Sequence, residues 1–329
     1  MSRLSVAVLL VAAGLTVPGC ATPAGREADA PLAPVTQQLE TAVTALEVPP
    51  ATSGELEFDA TRAWEHLQQQ VARGPRPAGS QALADTRTYL RRQLADSGIA
   101  VRDQAFDATT PIGMIRMVNL IATVPGTRPE RIVLASHYDT KRFSAFRFVG
   151  ASDGASSTAV LLELGRVLAQ QDQTYTYELL FLDGEEATRL EWAGTDNTYG
   201  SRHYVAEAQQ DGSLAGLGAL ILLDMVGDRD LTIRRETNST TWLTDIIWDT
   251  ARQLGYAGEF LDQRTAVEDD HVPFLRAGVP AVNIIDLDYP AWHTVDDDLG
   301  QVSPRSLDVV GRVVLEALPR VEDYLDQSR

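Results

Sequence analysis

At 329 residues and 44% hydrophobic content, with no internal repeat, the chain is long enough for one large α/β domain and too short for a second of the same size. Its formal net charge of −18 repels phosphate backbones, so the electrostatic attraction behind non-specific nucleic-acid binding has the wrong sign, and no nucleic-acid partner is expected. The acidity is otherwise what a solvated surface shows and assigns no function by itself.

Residues 1–20 read as a targeting segment, with Arg3 as a positive start, an apolar run over 6–17 and the small-residue ending Val17-Pro18-Gly19-Cys20. That ending resembles a bacterial lipobox. Cys20 is the only cysteine, so no internal disulfide can form and the one thiol stands where a lipid would be attached. The expectation is export and a lipid anchor at Cys20, holding the chain to the bacterial cell envelope on its periplasmic or outer surface. A plain secretory signal with an incidental cysteine is the alternative. The apolar run falls short of the roughly 20 residues that span a membrane. Residues 21–52, rich in Ala, Pro and Thr, read as a flexible tether, and 53–329 as the catalytic domain.

Helical periodicity runs over 58–71 and 82–97, and the loop Gly74-Pro75-Arg76-Pro77-Ala78-Gly79-Ser80 separates the two. Beyond it the pattern alternates. A β-like run at 131–136 precedes a helix over 156–170, with Val160, Leu161, Leu164 and Leu168 on one face. Short apolar runs at 178–182, 219–223 and 281–285 have buried-strand character. The alternation predicts a single α/β domain with a central mixed, mostly parallel β-sheet flanked by helices on both faces. In such sheets ligand sites gather beyond the carboxyl ends of the strands.

Those ends carry metal-binding residue types: His137 and Asp139 after the first run, Glu185 and Glu186 after the second, and Asp224 after the third. His293 follows the last strand by a short loop, and Asp153 lies in the Gly150-Ala151-Ser152-Asp153-Gly154 turn before a helix. Any one of them alone is an ordinary cap or solvated loop residue; their recurrence at successive strand ends is the signal. Imidazole and carboxylate suit zinc, and a catalytic zinc needs about three protein ligands with one position open. Two adjacent acids can divide the work, one on the metal and one moving protons.

From about Gly74 to its C-terminus the chain resembles the zinc aminopeptidase and glutaminyl cyclase superfamily. Four segments look like the animal-type glutaminyl cyclases: His137-Tyr138-Asp139-Thr140-Lys141, the tract from Trp192 through Tyr199-Gly200-Ser201-Arg202-His203, Asp269-Asp270-His271-Val272-Pro273-Phe274, and Trp292-His293-Thr294. The resemblance implies Asp153, Glu186 and His293 as zinc ligands and Glu185 as general acid/base. It makes His137 and Asp224 possible second-metal positions, and Trp192, Tyr289 and Trp292 the walls of a substrate pocket. Asp269 is expected to be hydrogen-bonded to Asp224. Two carboxylates that close share a proton, which disfavours a second metal and implies one zinc per chain. The resemblance also implies a cis peptide between Asp153 and Gly154. In two places the chain departs from the pattern: the interval from Glu186 to Trp192 is one residue longer, and the loop from Asp286 to Trp292 one residue shorter.

The implied reaction closes an N-terminal glutamine of a peptide or protein to pyroglutamate and releases ammonia. In it, Glu185 moves the proton while Asp224 and Asp269 stabilise the departing nitrogen. A zinc aminopeptidase is the alternative within the superfamily, and a binding protein with a decayed site the alternative outside it. The chain is expected to act as a monomer.

Overall fold

The computed structural model describes residues 57–328. The signal segment with Cys20 and the tether lie outside the described residues. Helix α1 (Ala60–Ala72) starts where the Asp59 carboxylate accepts the amide of Thr61 at 2.9 Å, and α2 (Gln81–Asp96) where the Ser80 hydroxyl accepts that of Leu83 at 3.1 Å. Each cap satisfies an amide that the first helical turn leaves without a partner. The next elements are β1 (Ala100–Thr110), β2 (Gly113–Val124), β3 (Arg131–His137), α3 (Ser157–Leu168), β4 (Thr176–Leu182), α4 (Tyr199–Asp211) and β5 (Leu217–Asp224). They are followed by β6 (Ile233–Glu236), α5 (Thr241–Gln253), β7 (Phe260–Thr265), α6 (His271–Arg276), β8 (Ala281–Ile285) and α7 (Pro304–Gln327).

Six strands form the central sheet in the order β1-β2-β4-β3-β5-β8. The pairs β4/β3, β3/β5 and β5/β8 are parallel, while β1 and β2 form an antiparallel hairpin on the edge. The mixed, mostly parallel sheet is thus the one the alternation predicts. Alternate residues of the parallel strands feed two cores. Ile132, Leu134, Leu179, Phe181, Ile221 and Leu223 face α1, α3, α5 and α7, and Val133, Ala135, Leu180, Leu182, Leu220 and Leu222 face α4 and α6. Burial on both faces is why these strands read as unbroken apolar runs. The β1–β2 hairpin and the small parallel β6–β7 pair are additions that the apolar pattern did not reveal. No helix among the described residues is long and apolar enough to cross a membrane.

Candidate metal and acid–base centre

Because β4, β3, β5 and β8 run the same way, their carboxyl ends open on one edge. His137 closes β3 opposite Leu182, the last residue of β4, and Asp224 closes β5 opposite Ile285, the last of β8. After β4 the chain turns at Gly184, whose φ of 72° favours glycine and where a Cβ would sit 2.5 Å from the Met117 sulfur. The turn delivers Glu185 and Glu186, whose backbone amides donate to the two carboxylate oxygens of the buried Asp139 at 3.2 and 3.4 Å. Asp139 thus cradles the acidic pair from behind.

Asp153 lies in a tight segment, Ala151–Ser156, between Gly150 at φ 54° and Gly154 at φ 86°. No peptide bond among the described residues is cis, so the Asp153–Gly154 bond is trans, contrary to the expectation. Gly154 makes the reversal instead: its left-handed backbone suits glycine, and a Cβ there would lie 2.7 Å from the Asp139 carbonyl oxygen.

Around the Asp153 carboxylate two groups of donors converge. His293 Nε2 lies 3.3 Å from Asp153 Oδ2 and 3.1 Å from Glu186 Oε1. On the other side, His137 Nε2 lies 3.3 Å from Asp153 Oδ1 and 3.0 Å from Asp224 Oδ1. Within each of the sets Asp153/Glu186/His293 and His137/Asp153/Asp224, the candidate ligand atoms are all within 4.8 Å of one another. Asp153 Oδ2 and Glu186 Oε2 are buried and accept no hydrogen bond among the described residues; Lys141 Nζ stands 3.5 Å from the latter. Buried carboxylate oxygens left in this way, beside an imidazole, fit a divalent cation of the zinc type.

The electrostatics agree with that fit. Burial works to lower the His293 pKa, but Asp153 and Glu186 outweigh it and push it up to about 10. A field that holds a proton so firmly on an imidazole favours any cation placed there. Burial raises the Glu185 carboxyl well above the usual range; His137 opposes this, while Glu186, Asp269 and Asp270 add to it. Burial likewise raises Asp224 to about 7, with His137 opposing and Asp269 contributing.

The hydrogen bonds of Asp224 and Asp269 go elsewhere than to each other. Asp224 is bonded to His137, whereas Asp269 accepts the amide of Asp270 at 2.5 Å and the side-chain amide of Asn283 at 2.7 Å. The direct Asp224–Asp269 bond expected from the sequence is not among them. Asp269 lies in the loop before α6, where the Asn283 carboxamide of β8 donates to one of its oxygens and the amide of Asp270 to the other.

A cavity of about 430 Å³ opens over these groups, lined by Asp153, Glu185, Glu186, Asp224, Asp269, Lys141 and His293. Trp192 and Trp292, 36% and 43% exposed, form its mouth. Its apolar lining includes Leu190, Met225, Val267, Ile285 and Leu287, of which only Ile285 belongs to a segment the sequence marks, as the end of a buried strand. Tyr289 is not part of the wall. It is buried and its hydroxyl donates to Asp297 at 2.7 Å, because the loop after β8 folds its ring inward. His293 is held edge-on by Phe143 and Phe148 at 5.7 and 5.8 Å, with Trp292 at 4.5 Å. Its φ of 55°, like the 46° of Met225, is uncommon for a side chain of that bulk and occurs where surrounding packing fixes the backbone, often at functional sites.

In the sequence Lys141 has no assigned role, and Asp297 is hidden in the acidic run Asp296-Asp297-Asp298, which reads as a solvated loop. Its spacing of four residues from His293 was the only available sign.

Residues 119–318 match the family model described as peptidase family M28. The glutaminyl-peptide cyclotransferase of Drosophila melanogaster is 32% identical over 278 residues, which is 76% of this chain and 78% of that protein. That of Bos taurus is 32% identical over 260 residues, 68% of this chain and 71% of the relative. In three dimensions the chain is similar to the crystal structure of an Acidobacteriales bacterium glutaminyl cyclase, with a TM-score of 0.79 and 37% identity, covering 84% of this chain and 99% of that one.

Proposed function

We propose that this chain, which belongs to peptidase family M28 and within it to the glutaminyl-peptide cyclotransferases, converts the N-terminal glutamine of peptides or proteins to pyroglutamate and releases ammonia. One observation carries the reading: three clustered metal-type donors and a further acid outside that cluster, Glu185, line a single cavity whose mouth is two tryptophans. Asp153, Glu186 and His293 would hold one zinc per chain, which supplies Lewis acidity toward a carbonyl oxygen. These three line the cavity, whereas His137 is buried behind it with Nε2 turned to Asp224 and Asp153.

The remaining work falls to the chain's own residues. Trp192 and Trp292 enclose the glutaminyl side chain and turn the α-amine onto the carbonyl carbon of its γ-carboxamide, which removes much of the entropic barrier because nucleophile and electrophile belong to one molecule. Glu185 accepts a proton from the amine as the new C–N bond forms. It returns that proton to the amide nitrogen, whose bond to carbon breaks, and ammonia leaves. Burial raises the proton affinity that this exchange needs. Asp224 and Asp269, on the same wall, stabilise the departing nitrogen.

A second reading, removal of N-terminal residues by an aminopeptidase, rests on the His137/Asp153/Asp224 set, which is complete enough for a second metal. Incubation with a Gln-initiated and a Leu-initiated dipeptide amide separates the two. Cyclisation yields ammonia from the first alone; free amino acid from either peptide would favour the peptidase. Export and acylation at Cys20 are proposed on the lipobox-like ending, and action as a monomer on the site's being built from one chain. Metabolic labelling with a fatty acid and its loss in Cys20→Ser checks the anchor.

A further inference from the structure

We infer that Asp297 is a positioning residue for this centre, tying the loop that carries His293 to the turn that carries Asp153. The inference rests on the metal-dependent reading above. Asp297 is buried four residues beyond His293, and its carboxylate turns back beneath the Asp153 turn. One oxygen accepts the amide of Ser152 at 2.8 Å and the Tyr289 hydroxyl at 2.7 Å; the other accepts the amide of Asp153 at 3.2 Å. The main-chain oxygen of Asp297 accepts the amide of Ala151 at 3.3 Å. Three successive amides therefore converge on one residue.

On the preceding stretch of the same turn the buried Arg76 guanidinium donates to the carbonyls of Val149 at 2.8 Å and Gly150 at 3.2 Å. The turn is held at its carbonyls by a cation and at its amides by an anion. With its amide fixed toward Asp297, Asp153 directs its carboxylate to His137 and His293. A single short loop supplies one candidate ligand and anchors the backbone of another, so the distance between them is set by Asp297. Groups that orient metal ligands in this way commonly contribute tenfold or more to metal affinity.

Metal retention tests this directly. Zinc-loaded full-length protein, Asp297→Asn and Val314→Ala, a core substitution in α7 that controls for plain loss of stability, are titrated with a chelator of known zinc affinity well below their unfolding temperatures. Asp297→Asn places an NH₂ among N–H donors and is expected to release zinc at roughly 10–100-fold lower chelator, with turnover of a Gln-initiated dipeptide amide recovering in excess zinc. Val314→Ala should match the parent protein. Tyr289→Phe removes one donor from Asp297 and leaves the carboxylate, so it should show a smaller loss in the same direction; it decides the question alone if Asp297→Asn does not fold. Zinc release by the folded variants indistinguishable from the parent overturns the positioning role and leaves the cyclotransferase reading intact. A parent protein that holds no zinc overturns both.

Discussion

Glu185 and Glu186 are neighbours with the same side chain, and what separates them is where each carboxylate points. Glu186 lies against His293 at 3.1 Å with Lys141 behind it, while Glu185 stands toward the cavity among Asp269, Asp270 and His137. If Glu186 binds the metal, Glu186→Gln should lose zinc on dialysis and regain part of its activity in excess zinc, because an amide oxygen is a poorer ligand than a carboxylate. Glu185→Gln keeps the size and hydrogen-bonding reach but cannot carry a proton. Bound zinc should stay near one per chain by elemental analysis while turnover falls by about 10²–10⁴-fold. Equal zinc loss in both variants would show that the roles are misassigned. The residue types of this centre were legible in the sequence because strand ends announce themselves. The partner of Asp269 was not, since Asn283 sits in the middle of an apolar strand and nothing in its neighbourhood marks it as a hydrogen-bond donor.

Elements read as well as their apolar patterns allowed. The parallel strands are buried on both faces and were found within a residue or two. The β1–β2 hairpin has one half-exposed face and inward positions filled by Gln104 and Thr110 as well as Phe106 and Ala108, which blurs the alternation. A glycine inside α7 shows packing overriding propensity. Gly311 lies mid-helix, where glycine costs about 1 kcal/mol relative to alanine, yet a Cβ there would stand 2.3 Å from the Phe58 ring. Gly311→Ala should therefore destabilise the parent protein in urea melts. In a Phe58→Ala background the same change should stabilise by about 1 kcal/mol, a reversal of sign that a purely additive pair cannot give. Glu236, which ends β6, supplies a pH test. Burial opposes its ionisation, but bonds from His271, Ser239 and the amide of Asn238 hold its pKa down to about 2. Its contribution is present above the ordinary carboxylate range and is lost as pH falls toward about 2. Glu236→Gln should flatten the acid limb of a stability–pH curve between those limits.

At the scale of the molecule, Asp153, Glu186 and His293 come from three loops that meet only at the carboxyl edge of the sheet, so a metal held by them closes contacts across the whole domain. A ligand that binds only the folded state stabilises it by RT ln(1 + [L]/Kd), about 2.7 kcal/mol when free zinc is a hundredfold above Kd. For a domain of this size each kcal/mol moves the unfolding midpoint by roughly 2–4 °C, so zinc should raise Tm by about 5–10 °C over chelator-treated protein. Calorimetry on the two glutamate variants then turns this shift into a test of the whole arrangement. Glu185→Gln should keep the full zinc-dependent rise, since its carboxyl is not a ligand, and Glu186→Gln should lose most of it. A rise that persists undiminished in Glu186→Gln, or one that needs two equivalents of zinc to reach its limit, would move the metal toward the His137/Asp153/Asp224 set and with it the chemistry toward the peptidase.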